Sequence, residues 1–196
     1  MKYLVLICLF TLTFNGLAQE KIMVSEDTFI QGGPSADIAM GATVPKNIRI
    51  FNSNANSKYA RIGYLKFNLS KKIKTVKNVR LCIPLKVYKS AKNPTGKFEL
   101  EVMAIENDNW SENSITWNDA LTLGKQLGAI SVSQATNGKN QLLTIQLDVA
   151  VFNSLILKKD TTVSLALTNT NFNKVNAMAP SKEQSKRVAA YLLINE

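Results

Sequence analysis

The segment ARIGYLKFNLS, residues 60–70, sets Arg61, Tyr64 and Lys66 around the apolar residues Leu65 and Phe67. A guanidinium can meet a carboxylate through two parallel hydrogen bonds, whereas an ammonium supplies a mobile point charge. A tyrosine adds a flat apolar ring with a hydroxyl at its edge. That mixture suits a chain of charged sugars better than a smooth apolar partner. Strand periodicity extends the set. If Ile48 and Ile50 point inward, Arg49 points outward; if Leu65 and Phe67 point inward, Tyr64 and Lys66 project from the opposite side. Arg61 precedes the central run and reaches the same surface, with Lys46, Arg80 and Lys86 enlarging the patch where their strands neighbour it.

Other chemistry is bounded by what the chain lacks. It contains no histidine, which removes Ser-His and Cys-His nucleophile activation and histidine-ligated zinc. There is no GxxxxGK[ST] phosphate cradle, and Gly32–Gly33 reads as a turn. Glu106, Asp108, Glu112 and Asp119 stand close in sequence. Glycoside hydrolysis needs two acids about 5–9 Å apart, a separation that loop spacing does not establish. A uronate lyase could use a tyrosine as base and acid while a cation neutralises the substrate carboxylate. Tyr59, Tyr64 and Tyr88 are available, and nothing singles one out.

NDNWSENSITWNDA, residues 107–120, carries two tryptophans seven residues apart. A tryptophan in a β domain is more often a core or corner anchor with its indole N–H satisfied than a stacking platform for sugar. Glu112 and Asn118 read as ties from this loop to backbone amides. Asp27, Asp37, Asp148 and Glu183 offer oxygen atoms of the kind calcium prefers, without diagnostic spacing, so the metal ligands stay unknown and a structural calcium stays open.

The elements that position these groups are strands. Val79, Leu81, Ile83, Leu85 and Val87 alternate with Arg80, Cys82, Pro84 and Lys86, and the same period of two runs through 47–51 and 64–69. Further strands are expected at 98–105, 142–149, 161–168 and 188–194, with a short helical turn at 150–157. Pro84 lacks an amide hydrogen and argues for an edge or a bulge. QGGPSAD, FNSNANSK, SAKNPTGK and NTNFNKVN supply the turns. Seven or more short strands without long helices imply an all-β, antiparallel two-sheet sandwich.

The first residues, MKYLVLICLFTLTFNGLAQEK, place Lys2 before an apolar run and small residues Gly16 and Ala18. That order predicts a secretory signal over residues 1–18 and one domain over 19–196. The run is shorter than the ~20 apolar residues a membrane span needs. Cys8 has no small residue before it that would suit lipid attachment. Of the whole chain's 24 basic and 14 acidic residues, only Lys2 falls in the signal, so the surplus persists after cleavage. Such a surplus attracts polyanions. Nucleic acid is disfavoured, because there is no recognition-helix pattern, zinc spacing or run of aromatics among the basic positions. After cleavage Cys82 is the one remaining cysteine, so the fold has no internal disulfide.

Several of these pieces together resemble a known family. DTFIQGG, IRIF, ARIGYLKFNLS, VRLCIPL, NWSENSITWNDA, QLDVA, VSLAL, APSKEQ and YLLI are similar to the secreted DNRLRE-type β-sandwich domains grouped with carbohydrate-binding module family 96. The resemblance implies a jelly-roll-like sandwich and non-catalytic binding of acidic polysaccharide such as alginate through basic side chains. It also implies association with a surface or polysaccharide-degrading assembly, in a secreted, periplasmic or cell-surface setting. A structural or adhesion module is the alternative. Arg61, Tyr64 and Lys66 fall on the family's RxxYLKFDLS pattern. Lys182 takes the arginine place of its late SRE segment, beside Glu183. Asn68 replaces the usual aspartate, and Phe51 stands where a lysine often sits.

Overall fold

The computed structural model describes residues 19–44, 46–53, 57–69, 73–134, 139–158, 161–171, 173–185 and 188–196. The signal expected over 1–18 lies outside them. Among the described residues the chain forms ten strands: β1 (Gln19–Gln31), β2 (Asn47–Ile50), β3 (Arg61–Asn68), β4 (Asn78–Val87), β5 (Phe98–Ile105), β6 (Leu123–Val132), β7 (Gln141–Gln146), β8 (Thr162–Thr168), β9 (Ala177–Pro180) and β10 (Tyr191–Asn195). Two helices, α1 (Met40–Thr43) and α2 (Val149–Leu157), complete the regular elements with a short 3-10 turn at Gly33–Ser35. Every strand pairing is antiparallel. The architecture is the expected all-β, jelly-roll-like sandwich.

β1 joins the two layers. Its first half pairs with β10, from Gln19↔Asn195 to Met23↔Tyr191. A register shift between Val24 and Glu26 then hands its second half to β3, from Glu26↔Lys66 to Gln31↔Arg61. One extra residue at such a bulge bends a strand and re-aims its side chains. One layer therefore runs from β1 through β3, β8 and β5 to β6. The other gathers β10, β4 and β7, with β9 and β2 continuing from the far end of β4.

The main core lies between the layers. Leu81, Ile83 and Leu85 of β4 share it with Leu65 and Phe67 of β3 and Leu100 of β5. Each is fully buried, and a large apolar side chain hidden this way contributes roughly 1.5–3 kcal/mol. Pro84 corrects the edge-or-bulge expectation. β4 is an interior strand, and Pro84 falls between the stretch paired with β10, ending at Cys82, and the stretch paired with β9, starting at Lys86. A residue without an amide hydrogen is tolerated there because no strand on that side asks for one.

A second, smaller cluster lies on the opposite face of β3. Ile30, Ile62, Tyr64, Ile105, Trp110, Ile115 and Ala166 form it, under the loop that runs from β5 to β6. Trp110 Nε1 donates to Ser164 Oγ at 2.9 Å, and the Tyr64 and Trp110 rings meet at 5.7 Å between centroids. Trp110 is the anchor that its sequence context suggested. The helix expected at 150–157 is α2; Asp148 caps it by accepting from Val151 N at 2.9 Å, and Phe152, Leu155 and Ile156 form its buried stripe.

Candidate functional site

The loop over β3 separates the expected site residues. Tyr64 is fully buried, and burial pushes its phenol up to about 12. Lys66 is 7% exposed, and its Nζ donates to Glu26 Oε1 at 2.7 Å and to the Trp110 carbonyl while lying 4.5 Å from the Trp110 ring centroid. The outward projection expected for Tyr64 and Lys66 is thus corrected. Alternation does place them opposite Leu65 and Phe67, but that opposite face is roofed by the 106–122 loop. Neither side chain can meet a polymer from solvent.

Lys182 is also engaged. Its Nζ pairs with Glu112 Oε1 at 2.8 Å and with Glu183. Burial works against its charge, yet the hydrogen bonds to Glu112 and Glu183 outweigh that and hold its pKa above the ordinary lysine value. The same pairing holds Glu183 below the usual carboxylate range in spite of the opposing effect of burial. Lys46 is exposed just ahead of β2, where its carbonyl accepts from Ser181 N at 3.3 Å.

Arg49 and Arg61 do come together. In β2, Ile48 and Ile50 are fully buried, which turns Arg49 outward. Arg49 sits opposite Met178 of β9, and Met178 sits opposite Lys86 of β4. After β2 the chain turns back through Asn52, whose φ of 46° lies in the left-handed region. Phe51 and Arg61 exchange backbone hydrogen bonds of 3.2 and 2.8 Å across that turn, bringing the start of β3 beside β2. Arg61 Nε donates to Gln31 Oε1 at 2.9 Å and Nη1 to the Tyr59 carbonyl at 3.3 Å. These two bonds fix the guanidinium and leave most of its donors unspent. Its pKa is lowered, first by burial and then by the neighbouring charge of Arg49.

The two guanidiniums border a trough of about 320 Å³ lined also by Phe51, Tyr59, Tyr88 and Met178. A second hollow of about 310 Å³ shares Phe51, Tyr59 and Arg61 and adds Lys92 and Lys174. No carboxylate lines either hollow among the described residues. Tyr59 is 51% exposed, and the Tyr88 hydroxyl reaches Met178 Sδ at 3.4 Å. The combined volume falls in the ~300–1,000 Å³ range of ligand clefts. Chemically the trough offers two converging forks for an anionic group, an apolar floor and two aromatic walls. Tyr59 and Tyr88 entered the sequence reading only as lyase candidates, and Phe51 only as a departure from the family pattern; Lys92, Lys174 and Met178 were not singled out. Four separate chain segments supply these residues, so no local spacing could reveal their convergence.

Of the calcium candidates, Asp27 and Glu183 meet, together with Glu112, while Asp148 is spent on the α2 cap. Asp37 is not part of that group. Burial lifts the Asp27 carboxyl to about 7, partly countered by the hydrogen bond from the Lys182 backbone.

Comparison with known proteins places this arrangement in context. A search of curated proteins finds no significant match in sequence. Among solved structures, the K3 cleaved adhesin domain of Lys-gingipain from Porphyromonas gingivalis W83 is 12% identical, with a TM-score of 0.31 over 76% of this chain and 73% of that one. The CBM22-1–GH10 modules of Clostridium thermocellum xylanase 10B, crystallised with xylohexaose, give 9% identity and a TM-score of 0.36 over 89% of this chain and 28% of theirs. A family 35 carbohydrate-binding module from Clostridium thermocellum gives 10% and 0.30 over 71% and 95%. Likeness at this level adds nothing about function. The model of carbohydrate-binding module family 96 instead matches residues 18–196, nearly the whole chain. The protein belongs to carbohydrate-binding module family 96.

Proposed function

We propose that this module binds an acidic polysaccharide, a uronate or sulfated glycan, in the trough between Arg49 and Arg61. The observation that carries the reading is the convergence of these two guanidiniums with no carboxylate among the described residues of the lining. Two cations held side by side repel each other, and an anion between them relieves that repulsion. Arg61 is already oriented by Gln31 and the Tyr59 carbonyl, so little side-chain freedom is lost when it grips a carboxylate or sulfate. Tyr59 and Tyr88 flank the sugar ring, and Lys92 and Lys174 meet the next charged residue along the chain. No step of bond breaking is assigned to these groups. The leader-like sequence at residues 1–18 supports work outside the cytoplasm, where such polymers are met.

Binding isotherms against alginate, pectate, a sulfated glycan and a neutral glucan test the proposal. At least one acidic polymer is expected to bind, and the neutral glucan to bind weakly or not at all. Raising the salt should weaken the acidic interaction, because the screening length falls to about 10 Å at 0.1 M and shrinks further above it. Equal affinity for neutral and acidic polymers, or binding that ignores salt, would remove the electrostatic mechanism.

A further inference from the structure

Asp27 carries its carboxylate into the interior where β1, the 106–122 loop and the segment after β9 meet. The residue is 2% exposed. Its Oδ2 accepts the Lys182 amide at 2.8 Å, but its Oδ1 is buried with no donor. Glu112 and Glu183 bring two further carboxylates, and one oxygen from each of the three lies within 4.8 Å of the other two. The cation present among them is Lys182 Nζ, bonded to Glu112 Oε1 and Glu183 Oε1. Three carboxylates therefore face one ammonium, and the most deeply buried oxygen is the one left uncompensated.

We propose that Asp27, Glu112 and Glu183 form a calcium site, which the ion enters by displacing the Lys182 ammonium. The donor set is oxygen alone, without a thiol or imidazole, which favours a hard cation over zinc. The number of carboxylates separates the two common hard cations. Calcium takes several carboxylates in flexible geometry, whereas magnesium keeps most of its waters and is held through one or two. Three carboxylates with oxygens within 4.8 Å of one another therefore suit calcium better.

The scaffold holds Asp27 and Glu112 in place independently of Lys182 Nζ. Asp27 N donates to Glu112 Oε2 at 3.0 Å, and Glu112 N donates to Glu26 Oε2 at 3.0 Å. The Lys182 side chain is 19% exposed, so its ammonium can swing to solvent while its backbone amide stays on Asp27. The bound ion would tie together three segments distant in sequence, including the loop that carries Trp110. It would then act on stability and on the cover over β3, away from the trough.

Terbium luminescence excited through tryptophan, followed by competition with calcium, tests the site on chelator-treated protein. One terbium per chain is expected, its signal abolished by calcium. Calcium at about a hundredfold excess over its Kd should raise the Tm by roughly 5 °C or more. Glu183→Gln, on the more exposed ligand, should weaken calcium binding by at least about tenfold. Lys182→Met should strengthen it, because the competing ammonium is gone. Absence of both the terbium signal and the Tm rise would overturn the proposal, as would Glu183→Gln binding calcium as tightly as the parent protein.

Discussion

Lys66 and Arg61 are five residues apart on one strand, and both bear a positive charge, yet they live in opposite circumstances. Lys66 lies under a tryptophan loop and spends its charge on Glu26 and the Trp110 carbonyl. Arg61 lies at the open start of β3, beside another arginine and bonded to neutral groups only. The difference teaches that a strand's chemistry is decided by what covers it. Where a loop roofs the sheet, a cation becomes a rivet. Where the sheet ends in an open turn, the same charge is available to a ligand.

Breaking the roof should give the largest effect. Trp110→Ala removes the centre of the smaller cluster and the Ser164 hydrogen bond. We expect a loss of about 3–5 kcal/mol in urea unfolding, in line with large-to-small core substitutions. A change below about 1 kcal/mol would mean the loop is no structural cover. Lys66→Met comes next. It removes the cation from Glu26, but Glu26 keeps the Glu112 amide and a side-chain exposure of 29%, which soften the penalty. A loss of roughly 2–3 kcal/mol is expected, short of the ~3–5 kcal/mol of a fully buried broken pair. Glycan affinity should change less than about twofold; a large loss of affinity at full folding would show that Lys66 does reach the polymer.

At the open end the ordering reverses. Arg61→Ala should alter stability by no more than about 1 kcal/mol, since the two acceptors it leaves, Gln31 Oε1 and the Tyr59 carbonyl, lie within reach of water. Its glycan affinity should fall by about tenfold or more, the usual worth of a charged hydrogen bond. Tyr59→Ala, on a side chain already half exposed, should leave the unfolding midpoint almost unmoved while weakening binding severalfold. If Tyr59→Ala binds normally, the aromatic wall is not part of the grip.

The sheets themselves were readable from period-two patterns. β5 runs over the expected span, Phe98–Ile105, and every apolar position named in β4 is buried. β1 escaped because it changes layers at a bulge, so its burial follows no single alternation. β6 escaped because most of its residues are exposed or half-buried, which leaves no apolar stripe to count. The candidate site was legible in part. Arg49 could be placed outward because both its neighbours are isoleucines bound for the core. Tyr64 and Lys66 were misplaced because alternation assigns a side of the sheet and cannot say whether another segment lies over it. Trp110 held the missing clue, since an anchor in a long loop needs a surface to be anchored against.

The most direct measurement is the affinity of the Arg49→Ala, Arg61→Ala double variant for an acidic polysaccharide that the parent protein binds at low salt, with Tm recorded alongside. The trough account predicts a loss of about a hundredfold or more, since two charged contacts disappear together, with Tm lowered by only a few degrees. Parent-like affinity in a folded double variant would contradict it.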